Sequence, residues 1–578
     1  MKKTFKNIRT LAALLIASAT LAACSTEDSV MTDEKAPQVY TLTIDASMDG
    51  GAQTRALEFE GTKLVAKWAN DETVDVRSGG TSLGTLTVSN VSADGKTCTL
   101  SGTLTGSIDK HDALRFYYNS GTLVNESQTG TLSSTAGSDY AMAAVTVKSV
   151  NGGNITLESE PSFQTQVAVL KITMQDALAN KLKATSLKIT IGDKDLCTLS
   201  PSATAYSENG DGVVYFALPS AHRVHAEGIS SIGMDEAELA AATVTFTATV
   251  GGNTYITTKT GYPFDAGKYY ATTLTMAKVV RYSSEINVPA GDHWYIDGTG
   301  EYNITIGEGA TVTIGSYLLM QNASIICSGN ATIILADGTD AKIVNGHIKA
   351  GPAGTTLTIK GNTGELNINP GSSVMGAAIG ASDVACGNIV IEGGIITTTG
   401  VQDAGIGASS NAKCGDITIS GGTVTATGSN GAGIGASSNA KCGDITISGG
   451  TVTATGSNGA GIGASNAECG NITISGGTVT ATGGNTGGAG IGGGSSDNGW
   501  CGNITLSGGT VEATGGFMSA GIGTGADNGC YDITIKSTVT HVTATKGSGA
   551  SASIGAANDG DAQCGTVTIE DSSKVTQN

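Results

Sequence analysis

Arginine, proline and aromatic residues are almost absent from the second half of this 578-residue chain. Arg281 is the last arginine, Pro370 is the last proline, and only three of the 26 aromatic residues (3 Trp, 15 Tyr and 8 Phe) follow Tyr317. By contrast, 49 of the 85 glycines lie in residues 371–578. A composition that changes this sharply indicates two architectures in one chain, with the change near residues 280–320.

Charged residues are also scarce, at 14% against the usual ~25%. With 39% hydrophobic residues, the chain can build a sizeable core and is not typical of a disordered protein. The 31 basic and 50 acidic residues give a formal charge of -19, which excludes electrostatically driven binding to nucleic acid. Abundant glycine without a G-X-Y period excludes collagen. We therefore expect a folded, glycine-rich, all-β protein.

Long apolar runs are lacking as well. Leu11–Leu21 follows several basic residues and is shorter than the ~20 apolar residues that span a bilayer, so residues 1–23 are predicted to be a signal peptide. Leu21-Ala22-Ala23-Cys24 resembles the lipobox of bacterial lipoproteins, which implies lipid attachment at Cys24 and an outer-membrane anchor. The alternative is an ordinary signal peptide with an incidental cysteine.

Residues 24–37 are expected to be a short acidic tether. Glu27 and Asp28, which follow Cys24 closely, resemble the surface-export signal of Bacteroidota lipoproteins, which implies a surface-exposed location on the outer membrane. A plain polar spacer is the alternative interpretation.

Period-two alternation of apolar and polar residues recurs through residues 38–280, for example in Leu83–Val88. This pattern predicts half-buried strands in packed antiparallel sheets. Asn151-Gly152-Gly153-Asn154 interrupts the strands, so we expect one domain at 38–152 and a second at 153–280.

Several motifs in this region resemble the fimbrillin-like family of Bacteroidota surface lipoproteins: Thr54-Arg55-Ala56, Leu114–Tyr118 and Phe264–Tyr270. The resemblance implies two tandem transthyretin-like β-sandwiches and fimbrial subunits as partners. In assembling members, a protease cuts after an arginine near the N-terminus and exposes a groove for a donor strand from the next subunit. Arg55 matches that position; a surface arginine in a loop is the alternative.

The second half is a repeat. Residues 404–431 and 432–459 are identical over 28 positions, and degenerate copies flank them. Periods of this length indicate a solenoid or an array. Because the internal pattern has period two, each repeat is predicted to be one coil of a right-handed parallel β-helix covering residues 281–578.

One coil can be threaded residue by residue. The isoleucines of Ile417-Thr418-Ile419 point inward from the first side, and Gly421-Gly422 turns the corner. Val424 and Ala426 point inward from the second side, and Ile434 fills the third. Stacked coils therefore bury aliphatic ladders.

Seven cysteines recur once per coil. Stacked strands place equivalent side chains about 4.8 Å apart, whereas a disulfide prefers Cβ atoms about 3.8 Å apart. No CxxC or adjacent histidine accompanies them, so we expect reduced, inward-pointing thiols and no metal site, with disulfides as the alternative. These are Cys386, Cys414, Cys442, Cys469, Cys501, Cys530 and Cys564.

Threonines alternate along the second side of each coil and are predicted to form a flat face of hydroxyl and methyl groups. This face is our candidate ligand surface for glycan; the alternative is that threonine simply suits an exposed strand. Asp416 and Asp444 give way to asparagine in later coils, which indicates turn residues and not a catalytic pair. The candidate threonines are Thr423, Thr425, Thr427, Thr451, Thr453, Thr455, Thr478, Thr480 and Thr482.

The repeats resemble Gly/Thr-rich β-helical repeats of large, adhesin-like surface proteins of gut bacteria. Pectate-lyase-type enzymes share the fold, but no arginine follows Arg281 and the histidines are scattered, so no acid/base group can be assembled. We expect a lipid-anchored surface adhesin or fimbria-associated protein that binds host or dietary glycan or matrix ligands, without cofactor or enzyme activity. The alternatives are a polysaccharide-active lyase or hydrolase and a donor-strand pilus subunit.

Overall fold

The computed structural model describes residues 38–48, 58–60, 63–65, 67–118, 128–138, 141–220, 232–371, 375–381, 384–409, 411–437, 439–494, 499–526, 529–558 and 562–578. The predicted all-β class is confirmed. Two sheet-based units, called the first and second unit below, are followed by a parallel β-helix, called the solenoid.

The first unit is a sheet of eight strands wrapped around one core. Tyr40, Phe116 and Phe163 are fully buried there, and the Trp68 and Phe163 rings meet edge to face with centroids 5.2 Å apart. The strands are Gln38–Met48, Thr73–Ser78, Thr81–Ser89, Thr97–Gly106, Ala113–Tyr118, Ala141–Asn151, Asn154–Leu157 and Ser162–Thr165, with a separate hairpin of Glu58–Glu60 and Lys63–Val65.

The sheet closes on itself through its last two strands. Asn154–Leu157 and Ser162–Thr165 each pair with both Gln38–Met48 and Ala141–Asn151. The boundary expected at 152 therefore lies inside the first unit, in a hairpin turn where Gly152 has φ 59°. A Gly-Gly pair serves a two-residue hairpin as well as a linker, and this one joins two paired strands.

The second unit packs a three-stranded sheet against a four-stranded antiparallel sheet. Leu170 and Phe216 from the first sheet and Ile189 and Phe246 from the second share one buried cluster. The strands are Val167–Gln175, Val213–Pro219 and Tyr269–Thr275 in the first sheet, and Ser186–Ile191, Lys194–Leu199, Thr243–Val250 and Asn253–Thr260 in the second.

Helices are few and short. Within the described residues they are Leu132–Ser138, Ala203–Asn209, Glu236–Ala241 and the 3₁₀ turn Ser572–Lys574. The segment before the first helix docks on the second unit, because the Gln128 side chain donates to the Ala217 carbonyl (3.0 Å) and accepts from the Ala217 amide (2.7 Å). No described helix is long and apolar enough to cross a membrane.

Ala277–Tyr282, the junction strand, connects the second unit to the solenoid. One edge pairs antiparallel with Asn253–Thr260, and the other pairs in parallel with His293–Gly300 of the first coil. The second unit and the solenoid therefore share one continuous hydrogen-bonded sheet.

The solenoid has three parallel faces. The first two begin on the long strands His293–Gly300 and Ala310–Gln321. The first face continues through Ala331–Leu335, Thr356–Gly361, Asn388–Ile391, Ile417–Ile419, Ile445–Ile447, Ile472–Ile474, Ile504–Leu506, Ile533–Ile535 and Val567–Ile569. The second face continues through Asp340–Val344, Glu365–Asn369, Ile395–Gly400, Thr423–Gly428, Thr451–Gly456, Thr478–Thr482, Thr510–Thr514, His541–Thr545 and Val575–Gln577.

The third face stacks eleven short strands: Ile286–Val288, Ile304–Ile306, Ile325–Cys327, Ile348–Lys349, Ile379–Gly380, Ile406–Ala408, Ile434–Ala436, Ile462–Ala464, Ile491–Gly492, Ile522–Gly523 and Ile554–Gly555. Two-residue strands lie at five of the cysteine positions: Lys413–Cys414, Lys441–Cys442, Glu468–Cys469, Gly529–Cys530 and Gln563–Cys564.

The threading predicted for one coil is confirmed. Ile417, Val424 and Ile434 are fully buried in one cluster that runs from Tyr282 to Ile554. The corner glycine Gly422 has φ +82°, and a Cβ there would approach the carbonyl oxygen of the corner in the preceding coil to 2.5 Å. Glycine is therefore required by both the backbone conformation and the stacking.

Candidate ligand face of the solenoid

The predicted threonines form straight columns because successive coils stack without a shift in register. Thr423 lies beside Thr451, and Thr451 lies beside Thr478. The alternate residues Val424 and Ala426 are fully buried, so the threonines necessarily point outward. Neighbouring coils are about 4.8 Å apart, and the result is a regular lattice of hydroxyl and methyl groups.

The lattice is larger than the nine predicted positions. Thr397 and Thr399 extend it into the preceding coil, and Thr514, Thr543 and Thr545 extend it into later ones. The T-x-T motif could have found most of these, since Ile395–Gly400 and His541–Thr545 carry it in degenerate form.

The lattice is interrupted near its C-terminal end. Glu512 occupies the central column between Thr480 and Thr543, and His541 replaces threonine in the first column. The central coils therefore carry an uncharged surface, and the later coils add ionisable groups.

The aspartate and asparagine positions at the start of the first face are turn acceptors. In six successive coils the side-chain Oδ1 accepts a hydrogen bond from the backbone amide of the next coil, at 2.7–3.1 Å. Either residue type supplies that oxygen, which explains their exchange along the ladder. The acceptors are Asn388, Asp416, Asp444, Asn471, Asn503 and Asp532.

The repeat cysteines form a second ladder, on the edge between the third and first faces. Cys414, Cys442 and Cys469 are buried and in parallel register, and each Sγ lies 3.8–3.9 Å from a carbonyl oxygen of the preceding coil. Hydrogen bonding to the neighbouring thiols, together with burial, raises the pKa of Cys442 well above its ordinary value. Only the last, Cys564, is half-buried, and its Sγ lies 3.0 Å from that of Cys530.

The three histidines of the solenoid lie in different coils and do not form a cluster. His293 lies in the first coil, where its Nε2 is 2.8 Å from Thr313 Oγ1 and burial lowers its pKa. His347 is buried beside the third face, and His541 lies near the C-terminal end, 3.3 Å from Thr576 Oγ1. Among the described residues, no group of three or more His, Cys, Asp or Glu side chains is placed to hold a metal ion.

Two predicted sites lie outside the described residues: the lipid-attachment residue Cys24 and the protease-processing residue Arg55. Both remain predictions from the sequence.

Comparison with known proteins identifies the repeats. A family model for the beta helix repeat matches four stretches, 417–438, 445–466, 472–495 and 504–526. The chain therefore contains β-helix repeats, in agreement with the stacked coils. No curated protein matches the chain.

Solved structures with detectable likeness are remote. A fimbrial protein from Bacteroides ovatus ATCC 8483 is 11% identical with a TM-score of 0.21, over 42% of this chain and 49% of that one, so this chain spans about half the length of that protein. A Bacteroides fragilis NCTC 9343 protein assigned to cell adhesion is 13% identical with a TM-score of 0.23, over 40% and 92%. The shaft pilin SpaA from Lactobacillus rhamnosus GG is 10% identical with a TM-score of 0.18, over 42% and 100%.

Proposed function

We propose that this chain is a lipid-anchored, adhesin-like protein of the bacterial surface, in which the solenoid presents its threonine lattice to glycan or matrix ligands. The observation that carries the proposal is the continuous sheet through Ala277–Tyr282, which joins the solenoid to the second unit by hydrogen-bonded strands. A rigid attachment holds a repetitive surface in a fixed orientation, which suits multivalent contact with a repetitive polymer.

The threonine lattice can be tested against a matched surface of the same coils. We expect the chain without residues 1–24 to bind ligands on an array of glycans and matrix proteins. Replacing Thr425, Thr453 and Thr480 together by glutamate should abolish binding of the polymeric ligands that contact several coils at once, because it places three like charges side by side on the flat face.

The control is the equivalent triple replacement of Thr418, Thr446 and Thr473, which lie in register on the first face of the same coils. Equal loss in both triple variants would contradict a ligand site on the second face.

Surface anchoring has its own test. We expect Cys24→Ala to release the protein from the outer membrane, and protease added to intact cells to digest the wild type. Protein that survives such treatment while lysed cells are digested would contradict surface display.

A second candidate, the donor-strand pilus subunit, is favoured by one observation. A cut after Arg55 would detach Gln38–Met48, which pairs with Thr97–Gly106 across ten residues and buries Tyr40 and Leu42 in the core. Its loss would open a long apolar groove, which a strand from another subunit can fill. We expect Arg55→Ala to prevent assembly; higher-order assembly that persists in this variant would exclude the mechanism.

Neither proposal involves catalysis. We expect no product from a panel of plant and host polysaccharides, measured by reducing-end and ultraviolet assays. Turnover of any of them would favour the polysaccharide-active alternative.

A further inference from the structure

A cleft of about 650 Å³ lies where the second unit meets the solenoid. One wall comes from the strands Thr243–Val250 and Asn253–Thr260, and the other comes from the first coils of the solenoid. We propose that this cleft is a binding site for a neutral oligosaccharide. It is distinct from the threonine lattice of the central coils.

The cleft lies on the outward side of the shared sheet. Val244 and Phe246 are buried in the core of the second unit, so the intervening Thr245 points away from that core. In the first coil, Ile296 is buried in the solenoid, so its neighbour Tyr295 points outward. Two outward surfaces, built on different cores, therefore enclose one space.

The wall from the second unit is a small lattice of hydroxyl groups. Thr243 is the cross-strand partner of Thr260, and Thr245 is the partner of Thr258. Cross-strand partners project to the same side of a sheet, so all four side chains face the cleft. Hydroxyl groups both donate and accept hydrogen bonds, as sugar hydroxyls require.

The solenoid wall combines an aromatic ring with polar groups. Tyr295 extends over Gly315, where an added Cβ would come within 2.5 Å of a ring carbon. The missing side chain thus lets the ring lie against the backbone, and Ile334 adds further apolar surface. An aromatic ring and an aliphatic side chain suit the C–H face of a pyranose. Beside them, the Asp337 carboxylate supplies an acceptor.

The charge of the lining favours a neutral ligand. The lining contains no lysine or arginine. Burial lowers the pKa of His293 and raises that of Tyr295, which favours the uncharged form of both side chains. Asp337 is the one acidic residue among the lining residues, and a carboxylate there disfavours phosphate, sulfate and uronate groups. The volume lies within the ~300–1,000 Å³ typical of small-molecule sites.

The experiment uses an array of neutral, sulfated and uronic-acid oligosaccharides with the chain without residues 1–24, followed by titration calorimetry on the best neutral binder. Thr258→Trp should weaken binding about tenfold or more, because an indole placed at an exposed position would fill the cleft. Thr254→Trp is the matched control, since Thr254 is exposed on the same strand and does not line the cleft.

A second variant keeps the volume of the wall and removes one hydroxyl. Thr245→Val should weaken binding severalfold, and the triple glutamate variant of the threonine lattice should leave it unchanged. The proposal is overturned if no neutral oligosaccharide binds, if the anionic oligosaccharides bind instead, or if Thr258→Trp and Thr254→Trp bind the neutral oligosaccharide with equal affinity. Loss of binding in the lattice variant alone would also overturn it and would place the glycan site on the lattice.

Discussion

The first unit and the solenoid bury apolar residues in different ways. In the first unit, Tyr40 on the first strand pairs across to Leu104, and Phe163 near the unit's end packs on Trp68. In the solenoid, Ile417 lies between Ile389 and Ile445, its equivalents in the two adjacent coils. The units therefore depend on contacts that all form together, whereas the solenoid is a sum of nearly equivalent neighbour contacts.

This difference predicts which part of the chain tolerates a deletion. Removing residues 432–459 should leave a folded protein, because residues 404–431 are identical and the next coil would stack on them in the same register. Removing Thr81–Gly106 from the first unit should abolish its folding, since two adjacent central strands would be lost.

The measurement is far-ultraviolet circular dichroism with tryptophan emission in variants that keep a single tryptophan, either Trp68 to report the first unit or Trp500 to report the solenoid, because Trp294 also emits from the first coil. The comparison between the two architectures would fail if the shortened solenoid lost the Trp500 unfolding transition. A Trp68 unfolding transition that persists after removal of Thr81–Gly106 would also contradict the proposed difference between the two architectures.

Glycine substitution should sharpen the same contrast with a smaller effect. Gly435 on the third face has φ +134°, and a Cβ there would run directly into the carbonyl oxygen of Gly463 in the next coil. Gly152 in the first-unit hairpin has φ +59° and open space around it. We expect Gly435→Ala to lower the free energy of unfolding by at least about 2 kcal/mol, and Gly152→Ala by only about 1 kcal/mol.

Guanidinium titration of single-tryptophan variants, monitored at Trp500 for Gly435→Ala and at Trp68 for Gly152→Ala, measures the two losses of stability separately. Equal losses of unfolding free energy in the two variants would mean that the solenoid backbone shifts to accommodate an added Cβ. That result would contradict the view that its coils are too closely stacked to do so.

The sequence predicts the solenoid in more detail than the two units, because the solenoid depends on contacts between neighbouring coils and the units depend on long-range strand pairing. Identical repeats require identical environments, so the inward position of Ile417 and Val424 and the turn role of Asp416 could be inferred from one coil. The Gly152 hairpin and the junction strand could not, because a Gly-Gly pair suits a linker as well as a turn, and no local signal tells which two strands Ala277–Tyr282 will join. The cleft depends on that same long-range pairing.

The smallest expected effect concerns the turn acceptors. Asp444 Oδ1 accepts from the Asn471 amide at 2.8 Å, and Asp444 itself donates its amide to Asp416 Oδ1 at 2.9 Å. Asp444→Asn should leave the stability within about 0.5 kcal/mol, because asparagine supplies the same acceptor elsewhere in the ladder. Asp444→Ala should cost about 1 kcal/mol, since the Asn471 amide loses its side-chain partner at an exposed edge where water can replace it.

The counterpart in the first unit is Asp75, which accepts from the Arg77 and Ser82 side chains, so Asp75→Ala removes side-chain contacts and leaves no backbone amide without its acceptor. Its cost should be below that of Asp444→Ala. Guanidinium titration compares the free energies of unfolding of the three variants. If Asp444→Ala is as stable as Asp444→Asn, the acceptor oxygens do not contribute to the stability of the solenoid. A measurable loss in the alanine variant alone would show that one side-chain oxygen per coil helps to hold successive coils in register.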